Sequence, residues 1–212
     1  MQARPASYFD QSAATWDDNP GRIALMKSVG QAILQEAQPT KATTVLDYGC
    51  GTGLVSLFLL PHVGSVTGAD NSSGMLDVLR KKIADSGIEN MKVLPLDLEH
   101  EPPPKDGYDL IVTCMVLHHT ANTGKVLAAL HEMLHADGTL CIADLDAEPG
   151  SFHDAQAAAS VHHHGFDRAE LRSQLVRIGF GKIEDITAHT VRKPVEGGSE
   201  RDFPVFLMTA RK

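Results

Sequence analysis

Apolar residues recur along the chain with two different periods, and the two alternate. Between Pro20 and Ala37 the residues Ile23, Met26, Val29, Ile33 and Ala37 fall three or four apart, which predicts an amphipathic helix closed by Pro39. Short apolar runs then predict strands at Thr43–Asp47, Ser65–Asp70, Met91–Leu94, Tyr108–Cys114 and Thr139–Leu145. Helical stripes separate them. One is Leu54–Leu60; a second is Met75, Leu76, Leu79 and Ile83 behind the capping residues Asn71, Ser72 and Ser73. A third is Val126, Leu127, Leu130, Met133 and Leu134, with Asp137-Gly138 expected to end it. A last helix begins at the capping pattern Asp167-Arg168-Ala169-Glu170, buries Leu171, Leu175 and Ile178, and stops at Gly179. Two β-like runs, Phe180–Val191 and Phe203–Arg211, flank a loop at Lys193–Asp202 and can pair antiparallel. Strands alternating with helices predict an α/β fold.

The stretch that organises the chain is Val45-Leu46-Asp47-Tyr48-Gly49-Cys50-Gly51-Thr52-Gly53, running into the apolar Leu54–Leu60. It reads as strand, tight turn and helix. Glycines permit positive φ and let a ligand come close with no Cβ in the way, and the free N–H groups of a helix N-terminus favour a negative ligand group. The dinucleotide fingerprint G-x-G-x-x-G/A is not met, because Leu54 holds the third small position and the third glycine comes early, at Gly53. Asp47 would repel a pyrophosphate and instead suits a ligand with a positive amino group. S-adenosylmethionine (SAM) carries such an ammonium, a carboxylate and no phosphate.

Asp47-x-Gly49-x-Gly51-x-Gly53 resembles the first motif of the class I SAM-dependent methyltransferases. Met115-Val116-Leu117-His118-His119, at the end of strand four, resembles the branch that includes the ubiquinone- and menaquinone-biosynthesis enzymes. The resemblance covers nearly the whole chain. It implies a Rossmann-like, doubly wound, seven-stranded and mostly parallel sheet, closed by an antiparallel C-terminal hairpin, with helices on both faces. It also implies one domain over residues 1–212, in which 1–38 form an arm and helix and 147–166 an insertion that shapes the acceptor pocket. Asp70 lies 21 residues after Gly49, the distance at which an acid takes two ribose hydroxyls. Asn71 and Cys114 are candidate cofactor contacts; the family often places an apolar residue like Met75 against the adenine, an acid like Asp97 on the adenine amino group and the next apolar residue, Leu98, over the ring. Tyr8 and Trp16, in the aromatic segment before the first helix, are expected to close the pocket. Topology puts His118 and His119 near the reacting centre, where a histidine can act as a base for a protonated acceptor. Phe152 and His153 are expected to meet the acceptor.

Composition narrows the alternatives. The net charge of −8 and the lack of a Lys/Arg run disfavour non-specific nucleic-acid binding. No apolar run approaches a membrane span and no apolar signal region follows Met1, so a cytoplasmic protein is expected. Cys50, Cys114 and Cys141 read as reduced thiols without zinc spacing. Adjacent members of His162-His163-His164 diverge, so at most two could share an ion without a partner such as His153, and no metal is expected. There is no Asn-Pro-Pro-Tyr after strand four, no cysteine set for arsenic and no pattern of the magnesium-dependent catechol enzymes. A small, partly apolar acceptor methylated at oxygen or nitrogen is the resulting expectation. The rivals are a SAM-binding regulator without turnover and a nicotinamide-dependent oxidoreductase.

Overall fold

The computed structural model describes residues 8–153, 155–195 and 198–212. A short helix α1 (Tyr8–Ser12) and a 3₁₀ segment (Ala13–Asp18) lead into α2 (Pro20–Ala37). Asn19 starts α2: its side chain accepts the Arg22 N–H at 3.1 Å, and Pro20 occupies the first turn, where no N–H is missed. The core then alternates β1 (Thr44–Tyr48), α3 (Leu54–Leu59), β2 (Ser65–Asp70), α4 (Ser73–Asp85), β3 (Met91–Pro95), β4 (Tyr108–Cys114), α5 (Thr123–Met133) and β5 (Leu134–Leu145). After a loop containing the single turn α6 (Ala155–Ala158) come α7 (Arg168–Ile178), β6 (Gly181–Pro194) and β7 (Glu200–Arg211).

The seven strands form one sheet in the order β3-β2-β1-β4-β5-β7-β6. The first five are parallel, and β7 runs antiparallel to both β5 and β6. Period-two alternation distributes the strand side chains between two cores. Val45, Val66, Leu110, Val112 and Cys141 face one cluster with Val29 and Ile33 of α2, Leu59 of α3 and Leu79 of α4. Leu46, Ala69, Ile111, Leu140 and Ile142 face the other, with Leu127 and Leu130 of α5 and Leu171 and Leu175 of α7. Helices thus cover both faces, which is why the central strands read as near-continuous apolar runs. The chain reverses direction across the sheet between β1 and β4, and the crevice above their carboxyl ends is where an open α/β sheet takes a ligand.

Several boundaries differ from the sequence expectation. α5 ends at Met133 rather than at Asp137-Gly138, because Leu134 already bridges to Tyr108 and begins β5. The hairpin strands are longer than expected: β6 continues to Pro194 and β7 starts at Glu200, with Arg192 and Asp202 paired across the strands at 2.6 Å. Nothing in the local pattern marked those polar, exposed turns of the ladder as strand, since cross-strand pairing alone holds them extended.

Candidate active site

The carboxyl ends of β1, β2 and β4 open into a cavity of about 510 Å³. At one side lies the glycine turn. Gly49 and Cys50 donate their N–H groups to Ala69 O, at 2.7 and 3.0 Å, which ties the turn to β2. Gly49, Gly51 and Gly53 all take positive φ, of 74°, 54° and 83°. Two of the three are also required by packing: a Cβ on Gly49 would meet Val116 at 2.2 Å, and one on Gly53 would meet Leu79 at 2.5 Å. Gly51 differs. A Cβ there would meet only Met75 Sδ at 3.9 Å, so its open side is the cavity itself, the close approach of backbone to ligand that a glycine permits.

Two acids flank this turn. Asp47 is buried, and the Ser56 hydroxyl donates to its Oδ2 at 2.5 Å. Burial pushes the Asp47 carboxyl up to about 7, against the Ser56 hydrogen bond and with help from Asp70. Asp70 accepts Gly51 N–H on one oxygen and Ser72 N–H on the other, both at 2.8 Å. Its pKa is raised by burial, against these N–H donors. Cys114 lines the cavity as a neutral thiol, since burial, and then Asp47, raise its pKa well above the usual range.

The other end of the cavity is built from histidines. Met115 leaves β4 with φ 59°, an uncommon conformation for a side-chain-bearing residue, and turns the chain into a 3₁₀ turn at Leu117–His119. His118 Nδ1 lies 2.7 Å from Asp144 Oδ1, and each side chain is only 1% exposed. The backbone N–H of His118 reaches the other Asp144 oxygen at 3.3 Å. His119 Nδ1 lies 2.8 Å from Ser160 O. His153 packs over both, with ring centroids 4.9 Å from His118 and 5.3 Å from His119. Burial first, and His118 second, lower His119 to about 3 and His153 to about 4, so both rings are neutral at pH 7.

The segment after β5 returns on itself. Asp146 bridges Phe166, and a Cβ on Gly165 would meet Asp146 O at 2.2 Å, so the closing residue has to be glycine. His162 and His163 donate their backbone N–H groups to His118 O, at 2.9 and 3.0 Å, clasping the histidine turn. Over the top lies the N-terminal arm. Asp10 accepts from Gly74 N–H at 2.9 Å, and Asp17 joins Thr52 Oγ1 at 2.6 Å to Lys82 Nζ at 2.5 Å. Phe9 packs edge-on against the His119 ring at 5.0 Å, and the Arg22 guanidinium sits 3.6 Å over the Trp16 ring.

Residues 45–138 match the family model described as a methyltransferase domain. An uncharacterized methyltransferase of Schizosaccharomyces pombe is 26% identical over 204 residues, 75% of this chain and 72% of that protein. A ubiquinone biosynthesis O-methyltransferase of Shewanella pealeana is 30% identical over 135 residues, 61% of this chain and 57% of that protein. The match makes residues 45–138 a methyltransferase domain of the class I SAM-dependent type. Solved structures share the fold of this methyltransferase. A chain from the complex between the Haloferax volcanii Trm112 methyltransferase activator and a methyltransferase superposes with a TM-score of 0.79 at 19% identity, covering 98% of this chain and 99% of that one. A Haemonchus contortus phosphoethanolamine N-methyltransferase 2 bound to SAM gives 0.70 at 14% identity, covering 98% and 60%.

SAM is the cofactor of the family, and the cavity of this methyltransferase is lined by the turn open at Gly51, by the acids Asp47 and Asp70, and by the cation Arg22. Of the residues expected from sequence, Asp47, Gly49, Gly51, Asp70, Met75, Cys114, His118 and His119 line the cavity, as do Tyr8, Trp16, Phe152 and His153. Gly53 packs against Leu79 instead. Asn71 is exposed and outside the lining. Asp97 and Leu98 also lie outside it. The Asp97 carboxylate accepts Glu99 N–H at 3.1 Å and contacts His100 at 2.9 Å, as a turn former does. Leu98 is fully buried, its N–H capped by the Tyr48 hydroxyl at 3.3 Å. Arg22, Lys193 and Asp144 were not anticipated. Only Asp144 left a readable signal, an acid closing the apolar run of strand five.

Proposed function

We propose that this chain transfers the sulfonium methyl of SAM to oxygen or nitrogen of a small, partly apolar molecule. The observation that carries the reading is that one cavity joins the acid-and-glycine turn to the histidine cluster. SAM, when bound, supplies an electrophilic methyl whose transfer neutralises the sulfonium. The chain has to align, neutralise and exclude water. Asp47 faces the ammonium, Arg22 the carboxylate, and Asp70 the ribose hydroxyls with the lone pairs left over from Gly51 and Ser72. Met75, buried at the start of α4, lies against the adenine.

The loop after β5, within residues 147–166, shapes the acceptor pocket of a single domain, and the described part of the N-terminal arm and helix, residues 8–38, covers it. Phe152, stacked edge-on against Phe203 at 5.3 Å, gives an apolar wall, and His118, His119 and His153 activate the reacting atom. The arm, latched through Asp10 and Asp17, keeps water from the transfer path. Both oxygen and nitrogen are kept as acceptor atoms because the relatives include an O-methyltransferase and the structural neighbours an N-methyltransferase. A small-molecule acceptor also accords with a net charge of −8. Among the described residues no helix is long and apolar enough to cross a membrane.

The test is a thermal melt with SAM, S-adenosylhomocysteine (SAH), NAD and NADP, followed by incubation with candidate acceptors and mass spectrometry. SAM and SAH should raise the melting temperature, since a ligand at a hundredfold excess over its Kd adds about 2.7 kcal/mol. A shift with NAD alone overturns the reading. SAM binding with no SAH formed from any metabolite pool replaces the enzyme with a SAM-binding regulator.

A further inference from the structure

We propose that His118, His119 and His153 form a site for one divalent transition-metal ion at the acceptor end of the cavity. The three residues come from two distant segments, yet one ring nitrogen of each lies within 4.8 Å of one ring nitrogen of each of the others. The rings crowd together, with centroids 4.1 Å apart for His118 and His119. The surroundings orient them as metal ligands are oriented. A ligating histidine normally gives its other ring nitrogen to a carboxylate or a backbone carbonyl, which fixes the tautomer and leaves a lone pair aimed at the ion. His118 Nδ1 has the Asp144 carboxylate at 2.7 Å, and His119 Nδ1 has Ser160 O at 2.8 Å. In both rings Nε2 is the nitrogen left to bind.

The donor set identifies the class of ion. Three imidazoles suit zinc, cobalt, nickel or copper, whereas magnesium and calcium take oxygen. Three protein ligands with an open fourth position is the arrangement of a catalytic rather than a structural zinc site. All three histidines line the cavity, so the open position faces it. Buried Asp144 supplies negative charge directly behind the site. An oxygen or nitrogen of the acceptor would occupy the fourth position, and its proton, made more acidic by the ion, would leave to solvent. That role rests on the methyl-transfer reading; the ion site does not. The exposed His162 and His164 are not part of it.

The experiment uses the full chain stripped with a chelator and titrated with Co²⁺, followed by the visible absorption of four-coordinate cobalt, and with Zn²⁺ by calorimetry. SAM affinity is measured on the same samples. One equivalent of Co²⁺ should bind. Affinity should fall at least about tenfold in His153→Ala and His119→Ala, and about 10–100-fold in the isosteric Asp144→Asn, as is usual for the partner of a ligating histidine. It should be unchanged when His162→Ala and His164→Ala are combined. His153 is partly exposed, so its truncation tests the site without a buried cavity in the core. SAM binding without any saturable Co²⁺ signal overturns the ion site and leaves methyl transfer standing. Cobalt binding lost only with His162 and His164 also overturns it. A cobalt band in a chain that does not bind SAM supports the ion site and removes the methyltransferase reading.

Discussion

Replacing Asp47 by Asn removes a charge that burial makes costly. The carboxyl is 1% exposed, and burial raises it from 3.8 to about 7. A folded-state pKa above the unfolded one means that the native chain holds the proton more tightly. The stability it contributes is full below about pH 4 and is lost as pH rises to about 7. At about 1.4 kcal/mol per pH unit, the loss over that interval is ~4 kcal/mol. Asp47→Asn keeps the shape and can still accept from Ser56, but it carries no charge. The difference in unfolding free energy between Asp47→Asn and the parent should therefore grow with pH and level off above about 7, with the variant the more stable. Subtraction removes the other titrating groups, which both chains share. SAM binding should run the other way. Its ammonium favours the carboxylate, so parent affinity should rise with pH through about 7, with proton release below that pH. The variant should bind more weakly by about 1.5–3 kcal/mol, the contribution of a hydrogen bond to a charged group. Urea melts across pH and calorimetry in buffers of different ionisation enthalpy read both. A variant with the parent's pH profile and the parent's SAM affinity would refute the reasoning.

Three further outcomes are expected. Asp70→Ala should weaken SAM by about 1.5–3 kcal/mol through the lost ribose contact, measured by calorimetry; because Gly51 and Ser72 also lose their acceptor, a lowered melting temperature should accompany it. Unchanged affinity in a folded variant excludes Asp70 as the ribose ligand. Gly51→Ala should cost only the roughly 1–2 kcal/mol of a left-handed residue, yet reduce SAM affinity sharply. Gly49→Ala should cost more stability, because its Cβ meets Val116 at 2.2 Å; equal melting temperatures for the two would contradict the packing argument. Phe152→Ala should lower turnover of the true acceptor far more than it lowers SAM affinity. Steady-state kinetics showing a loss confined to SAM would take the loop after β5 out of the acceptor pocket.

The sequence by itself determined the order of strands and helices, the glycine turn with its flanking acids, and the match of residues 45–138 to a methyltransferase domain. Each of these is written in neighbouring residues: period two or period three-and-a-half for the elements, three glycines for three positive φ values, an acid closing an apolar run. Helix α2 and strands β2 and β4 accordingly match their expected limits. Tertiary structure decided what depends on contacts between distant segments. The end of α5 was set by Leu134 pairing with Tyr108, and the outer rungs of β6 and β7 by the partner strand. The arm could be read as aromatic, but its latch on α4 and the glycine turn through Asp10 and Asp17 joins residues more than thirty positions apart. Asp97 and Leu98 were legible from their position after the third strand, but their setting, one in a hydrogen-bonded turn and one in the core, came from the tertiary structure. The histidines show it most plainly. His118, His119 and His153 were each legible as single candidates. Their convergence with Asp144 and Ser160 required β4, β5 and the loop between β5 and α7 to meet above one end of the sheet, and no local spacing encodes a distance of that kind.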